Sequence, residues 1–236
     1  MINVAQTEVK EYWDRKYREN GKIYGTFPSQ SAYDLIRFIL EQRKTGTKLD
    51  DIAVLGDGYG RNALYFAFMH LNPSIIEISE EAIELANAKT TESGLELRTK
   101  QADLLSWQPA ENYDLAFSNF VIHLFNKEER ARIYENARKA LRPGGYFCGS
   151  FLSINDDDYA LFAKTKSLEE RTFLVRGVPQ HFFLKEEISQ ELTDAGFYVL
   201  DILENKDPET IVDITRNTTY YFVIAKSRGN QNGNQI

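Results

Sequence analysis

Nothing in this chain of 236 residues approaches the roughly 20 consecutive apolar residues that cross a bilayer, so no membrane association is expected. Its first twenty residues, MINVAQTEVKEYWDRKYREN, carry charge throughout and lack the apolar core of a secretory signal, which leaves a cytoplasmic expectation. Cysteine is nearly absent. Cys148 has no intramolecular partner, which excludes a disulfide-stapled fold and fits a reducing compartment; its apolar, strand-like neighbours make it read as a small core residue. The three histidines, His70, His123 and His181, lack metal-ligand spacing, so no metal is expected. Basic residues are outnumbered, 28 Lys and Arg against 35 Asp and Glu, for a formal charge of −7. That argues against the basic face of a broad nucleic-acid footprint.

The chain is 42% hydrophobic and 27% charged, enough for one α/β domain with additions or two small domains. Its most informative stretch is VLGDGYGRN, residues 54–62, in which Gly56, Gly58 and Gly60 follow a short apolar run and precede the helix-like run 63–69. Strand, tight turn and helix is the pattern in which a ligand approaches the backbone. Glu77 lies 77 − 56 = 21 residues after the first glycine, near the end of the next predicted strand. An acid there can accept hydrogen bonds from both hydroxyls of a ribose. A dinucleotide needs a third glycine where Arg61 stands, so the remaining GxGxG turn favours adenosine carrying an amino-acid tail: S-adenosylmethionine, with S-adenosylhomocysteine as product. The competing reading is an ordinary strand-to-helix turn.

Elsewhere the pattern predicts helices over 7–19 and 29–43, the second burying Leu35, Ile36, Phe38, Ile39 and Leu40. Strands are expected at 51–55, 74–77, 95–100, 113–118, 146–152, 197–203 and 220–225, separated by helices until the last pair, whose short link makes the final strand antiparallel. Ser79 is placed to cap one helix, and Asn126 with Glu129 to form a capping box on the helix 127–140. Residues 153–178 show no strand alternation and read as an insertion of one or two short helices. The expected fold is therefore Rossmann-like α/β: seven strands, the last reversed, with helices on both faces. Residues 1–46 are read as a helical cap or lid, 47–228 as the main domain with 153–184 as its insertion, and 229–236 as a disordered tail.

Several segments carry a resemblance: LGDGYGRNA, LRPGGY and SNFVIHLF, together with Trp13-Asp14 and Tyr17, Tyr24-Gly25 with Pro28-Ser29, and Gly196-Phe197. Over nearly the whole chain the sequence resembles class I S-adenosylmethionine-dependent methyltransferases, closest to the branch of thiopurine and tellurite-resistance methyltransferases. The resemblance implies that Gly56, Gly58 and Gly60 lie against the methionine part of the cofactor, that Glu77 holds the ribose, and that Ile78 lies on the adenine face. Ala102-Asp103, with Leu104 beside them, match the position that accepts the adenine amino group, although an Asp opening a loop is the plain alternative for Asp103. Many members carry an acid two residues before the first glycine, where this chain has Val54. Asp57 is a candidate replacement for holding the cofactor's ammonium group, or simply a turn residue. Arg61 and Asn62 open the next helix, where amides and a guanidinium suit a carboxylate; for Arg61 a structural ion pair is the alternative.

The sulfonium is already activated, so orientation rather than a catalytic triad is needed for methyl transfer by direct displacement. The acceptor is expected beyond the fourth strand, at Ser118-Asn119-Phe120, the first two completing the cofactor-side set. His123 is a candidate proton acceptor, or a structural histidine. Tyr17, Tyr24, Phe27 and Trp13 are candidates for a lid, or for core packing. Arg171, Arg176 and His181 are candidates for recognising an anionic acceptor, or parts of a solvated charged face. The expected substrate is a small molecule such as a thiol or metalloid oxyanion, with no nucleic-acid partner and a monomer or homodimer as the assembly. Methylation of an RNA base or protein side chain, a non-catalytic cofactor-binding protein, and an NAD-dependent oxidoreductase are the competing readings.

Overall fold

The structure is a computed structural model that describes residues 4–110, 112–175, 177–211 and 214–228. The chain divides into two compact units, Met1–Trp107 with Pro208–Arg216, and Gln108–Asp207 with Asn217–Ile236.

The first unit begins with α1 (Val4–Asn20) and α2 (Gln30–Lys44), then alternates β1 (Asp51–Leu55), α3 (Arg61–Phe68), β2 (Asn72–Glu77), α4 (Glu80–Ser93) and β3 (Arg98–Gln101). The three strands pair in parallel. β1 is apolar without alternation because both its faces are covered. Ser29 caps α2, accepting from the Ala32 amide, and Ser79 caps α4 in the same way. Leu35, Ile36 and Ile39 are buried as predicted, but Leu40 is exposed. It lies roughly a quarter-turn around the helix from the centre of the buried stripe.

The second unit contains β4 (Tyr113–Asn119), a 3-10 turn (Ile122–Leu124), α5 (Lys127–Ala140), β5 (Leu141–Leu152) and α6 (Asp157–Phe162). It continues through β6 (Ser167–Glu169), β7 (Thr172–Val175), β8 (Val178–His181) and α7 (Lys185–Asp194) to the long strands β9 (Phe197–Ile211) and β10 (Ile214–Ser227). Both halves of the Asn126–Glu129 capping box form on α5. β4 and β5 are parallel, and β10 runs antiparallel to β5. Cys148 is fully buried in β5, as its neighbours implied.

The large sheet has seven strands in the order β3-β2-β1-β4-β5-β10-β9, the expected α/β architecture. Two readings need correction. The insertion is not purely helical: after α6 it forms a three-stranded antiparallel sheet, β6-β7-β8. Strands of three or four residues are too short to display alternation, and the hairpin turns fall at Arg171 and Gly177, both at positive φ. The segment taken as a loop between the last two strands extends both of them. Its polar residues are used along the strands: Glu204 accepts from Ser153 Oγ at 2.6 Å, and Tyr220 donates to Asp207 at 2.9 Å. The tail 229–236 lies outside the described residues. Among those described, no helix is long and apolar enough to cross a membrane.

Candidate cofactor turn and acceptor-side residues

In the first unit, Gly56, Gly58 and Gly60 all adopt positive φ, at 69°, 57° and 77°. Gly60 also allows close packing, since a Cβ there would come within 3.0 Å of Ile75 Cδ1 on β2 and 3.3 Å of Ala86 Cβ on α4. At Gly58 a Cβ would collide with the Tyr17 hydroxyl. Only glycine meets both the conformational and the steric demand there.

The Glu77 carboxylate is anchored at the end of β2. One oxygen accepts from the Ile78 and Ser79 amides, both at 2.9 Å, and the other from the Gly58 amide at 3.0 Å. Burial raises the carboxyl above its ordinary range, with these amides pulling the other way. Three of its about four acceptor sites are occupied by backbone, so binding two ribose hydroxyls requires the Gly58 bond to be shared or opened.

Asp57 and Asn62 have structural partners. Asp57 accepts from Asn62 Nδ2 at 2.7 Å and the Ala63 amide at 2.8 Å, which caps α3. Burial pushes its carboxyl up to about 6 despite those bonds. Asn62 Oδ1 accepts from both the amide and hydroxyl of Ser29, so this side chain ties α3 to the start of α2. Arg61 donates to the Tyr24 carbonyl at 2.7 Å, and its guanidinium lies 5.8 Å from the centroid of the Tyr24 ring. Asp103 accepts from the Leu105 amide at 2.9 Å, opening a turn in which Leu104 is buried. Ala102 is held by its amide on the Glu77 carbonyl at 2.8 Å, and Ile78 is half-buried beside the carboxylate.

The lid candidates divide. Tyr17 is buried against Gly58 and belongs with the turn rather than with a separate acceptor site; burial raises its hydroxyl pKa well above the ordinary value. Trp13 and Tyr24 pack on the same cluster, whereas Phe27 is 79% exposed and covers nothing in this conformation. Sequence reasoning missed two residues that hold this arrangement. The Tyr59 hydroxyl accepts from the Tyr24 amide at 3.0 Å and donates to the Gly25 carbonyl at 2.5 Å, fixing the 24–25 turn. Its place between two of the glycines was the available signal. Buried Asp14 accepts from Ser79 Oγ at 2.7 Å and joins α1 to the start of α4.

In the second unit, Ser118, the penultimate residue of β4, is fully buried, and its Oγ has no hydrogen bond among the described residues. Asn119 accepts from Ser150 Oγ at 3.0 Å. Phe120 adopts φ 52°, unusual for a non-glycine residue, and packs edge-on against His123 and Tyr220. His123 is buried with its Nδ1 unpartnered among the described residues; burial, and secondarily His181, push its pKa down to about 3. A group that weakly basic is a poor proton acceptor at neutral pH, so the general-base reading is not supported.

His181 is likewise structural. Its ring nitrogens meet Thr172 Oγ1 at 2.7 Å and Glu187 Oε1 at 2.9 Å, leaving neither for an anion. Arg176 lies outside the described residues. A buried charged cluster also went unread: the Arg130 guanidinium is 1% exposed and bonds to Glu191, Glu187 and the Phe125 carbonyl. Burial draws Glu187 upward, but His181 and Arg171 outweigh it and bring the carboxyl down to about 2.

Residues 52–145 match the methyltransferase domain family. The chain is 25% identical over 210 residues to the tRNA N(3)-methylcytidine methyltransferase Mettl2 of Drosophila melanogaster, covering 81% of this chain and 62% of that one. It is 29% identical over 92 residues to the probable S-adenosyl-L-methionine-dependent methyltransferase TehB of Haemophilus influenzae, covering 39% of this chain and 32% of that one. The chain thus spans less than two thirds of either curated relative. In fold it is similar to the magnesium protoporphyrin IX methyltransferase ChlM of Synechocystis PCC 6803, solved with bound SAH: TM-score 0.69, 16% identity, 94% of this chain and 99% of that one. Together these similarities support reading the chain as a class I S-adenosylmethionine-dependent methyltransferase. The similarity to TehB supports a TehB-like branch within that class.

Proposed function

We propose that this protein transfers a methyl group from S-adenosylmethionine to a small-molecule acceptor by direct displacement. The observation that carries the reading is the Glu77 carboxylate, fixed at the end of β2 and bonded to the Gly58 amide of the glycine turn. The turn suits the cofactor because it presents bare backbone at Gly58, and because Glu77 retains acceptor capacity beside it.

When bound, the cofactor supplies an activated methyl group on a sulfonium. The chain supplies position. Gly56, Gly58 and Gly60 allow close approach, Glu77 accepts from the ribose, and Ile78, Ala102, Asp103 and Leu104 surround the base. Tyr17 and Tyr24 exclude water from the turn, and Arg61 holds Tyr24 in place. Ser118, Asn119 and Phe120 are assigned to the acceptor side. Residues 1–46 act as the cap, and a reducing, cytoplasmic setting fits the unpaired, buried Cys148. Holding reactants in line contributes on the order of 7–11 kcal/mol without a covalent protein intermediate.

Calorimetric titration of S-adenosylhomocysteine, with NAD as control and Glu77→Ala as the site variant, tests the cofactor assignment. Micromolar binding that is weakened in the variant supports it; absence of binding to the wild type overturns it. The similarity to Mettl2 favours one second reading, an RNA base as acceptor, against which the formal charge of −7 weighs. Labelled methyl transfer to a panel of RNAs, lysate proteins, thiols and metalloid oxyanions separates these acceptors.

A further inference from the structure

Two residues of α1, one helical turn apart and therefore on one face, meet the groups that anchor Glu77 in the first unit. Asp14 Oδ1 accepts from Ser79 Oγ at 2.7 Å and from the Glu81 amide at 3.4 Å. The Ser79 amide, with that of Ile78, donates to one Glu77 oxygen at 2.9 Å. Tyr17 lies over Gly58, whose amide donates to the other Glu77 oxygen at 3.0 Å. α1 thus touches a partner of each oxygen of that carboxylate.

Ser79 is held at every polar atom that bears on this arrangement. Its hydroxyl donates to Asp14, the same oxygen accepts from the Ala82 amide at 3.2 Å to cap α4, and its amide donates to Glu77. Donation to a carboxylate gives the hydroxyl proton a single direction, which keeps a lone pair on the Ala82 amide. Asp14 is 8% exposed, and its Oδ2 pairs with Lys10 Nζ at 2.5 Å. Burial draws its carboxyl upward, but the bonds from Lys10, Ser79 and Glu81 outweigh it and lower it, so the acid is ionised at neutral pH.

Docking of α1 on α4 does not by itself call for a buried acid, which is costly to desolvate. Tyr17 of α1 and Ala82 of α4 already share one apolar cluster, with Trp13 and Leu85 packed against it. A second polar tie, Arg18 Nε to Glu81 Oε1 at 2.9 Å, is exposed and ends on a side chain that is not among the partners of Glu77. What Asp14 adds is the fixed orientation of Ser79.

We propose that Asp14 is a positioning residue for the cofactor: by fixing Ser79 it holds the turn 77–79, and with it the direction in which Glu77 presents its carboxylate to the ribose. This deepens the reading above and rests on its assignment of Glu77 to the ribose.

The test is calorimetry on the full chain, with S-adenosylhomocysteine compared against its dideoxy analogue, which lacks both ribose hydroxyls. The ratio of the two affinities reports the Glu77 contact and cancels a general loosening of α1. Wild type should prefer S-adenosylhomocysteine at least about tenfold, as expected for hydrogen bonds to a charged acceptor, and Glu77→Ala should lose that preference. Asp14→Ala should cut the preference to about threefold or less, while Asp14→Asn, which keeps an oxygen for Ser79, should restore most of it. Arg18→Met, which removes only the exposed tie, should leave the ratio at its wild-type value. Ser79→Ala breaks the Asp14 bond from the other side and should lower the ratio as Asp14→Ala does, so the test stands even where Asp14→Ala does not fold. An unchanged ratio in the folded variants, whether or not both affinities fall, makes Asp14 purely structural and overturns the proposal. A wild type without the preference, or a preference retained in Glu77→Ala, overturns the ribose assignment instead.

Discussion

Around the glycine turn of the first unit, the polar side chains examined by sequence already have partners: Glu77 on three amides, Asp57 on Ala63 and Asn62, Asn62 on Ser29. At the proposed acceptor side of the second unit, Ser118 Oγ and the nearby His123 Nδ1 are buried without partners among the described residues. Both regions surround proposed ligand sites, yet the polar groups of one are paired and several of the other are not. A site whose polar groups are already paired must share or give up a bond to take its ligand. A site with unsatisfied buried donors and acceptors is held at a cost that a ligand can relieve.

The contrast is broken most severely at Gly58. Gly58→Val forces a β-branched residue into positive φ and against Tyr17, and should abolish S-adenosylhomocysteine binding by calorimetry. Arg130→Met, in the second unit, should instead lower unfolding free energy by about 3 kcal/mol in urea melts, because the buried Glu191 carboxylate loses its cation. Glu77→Ala should weaken S-adenosylhomocysteine binding by about 1–3 kcal/mol; an unchanged dissociation constant would remove the ribose assignment.

The fourth prediction concerns pH. Glu187 has a carboxyl depressed to about 2 in the folded state, below its ordinary 4.5. Its stabilising contribution is therefore fully present above about 4.5 and is lost as pH falls toward about 2. Glu187→Gln should flatten that part of the stability curve. The smallest effect is expected at His123: with a pKa near 3, its replacement by Gln should leave the pH dependence of methyl transfer between 6 and 9 unchanged. A lost ionisation in that interval would restore it as a base.

The same contrast explains what could be read from the chain. β1, the glycine turn, Glu77 and the Ser79 and Asn126 caps were legible because local chemistry dictates them: positive φ needs glycine, and a helix start needs a side-chain acceptor. β6, β7 and β8 were not, being too short to carry a period. Arg130 and His181 were not either, because their partners lie 57 to 61 and 6 to 9 residues away, in pairings that only the fold creates. Asp57 is either a cofactor group or a turn residue by its position, and Asn62 a cofactor group; in the structure their polar atoms hold the start of α3, through contacts that the sequence does not display.

The Tyr17 hydroxyl over Gly58, and the Gly58 amide on Glu77, mean that a ligand reaching this turn exchanges one set of protein bonds for another instead of displacing water alone. Its measured affinity is consequently a difference. A variant that loosens Tyr17 can tighten binding without adding a contact, and the heat of binding will contain the heat of breaking the resting arrangement.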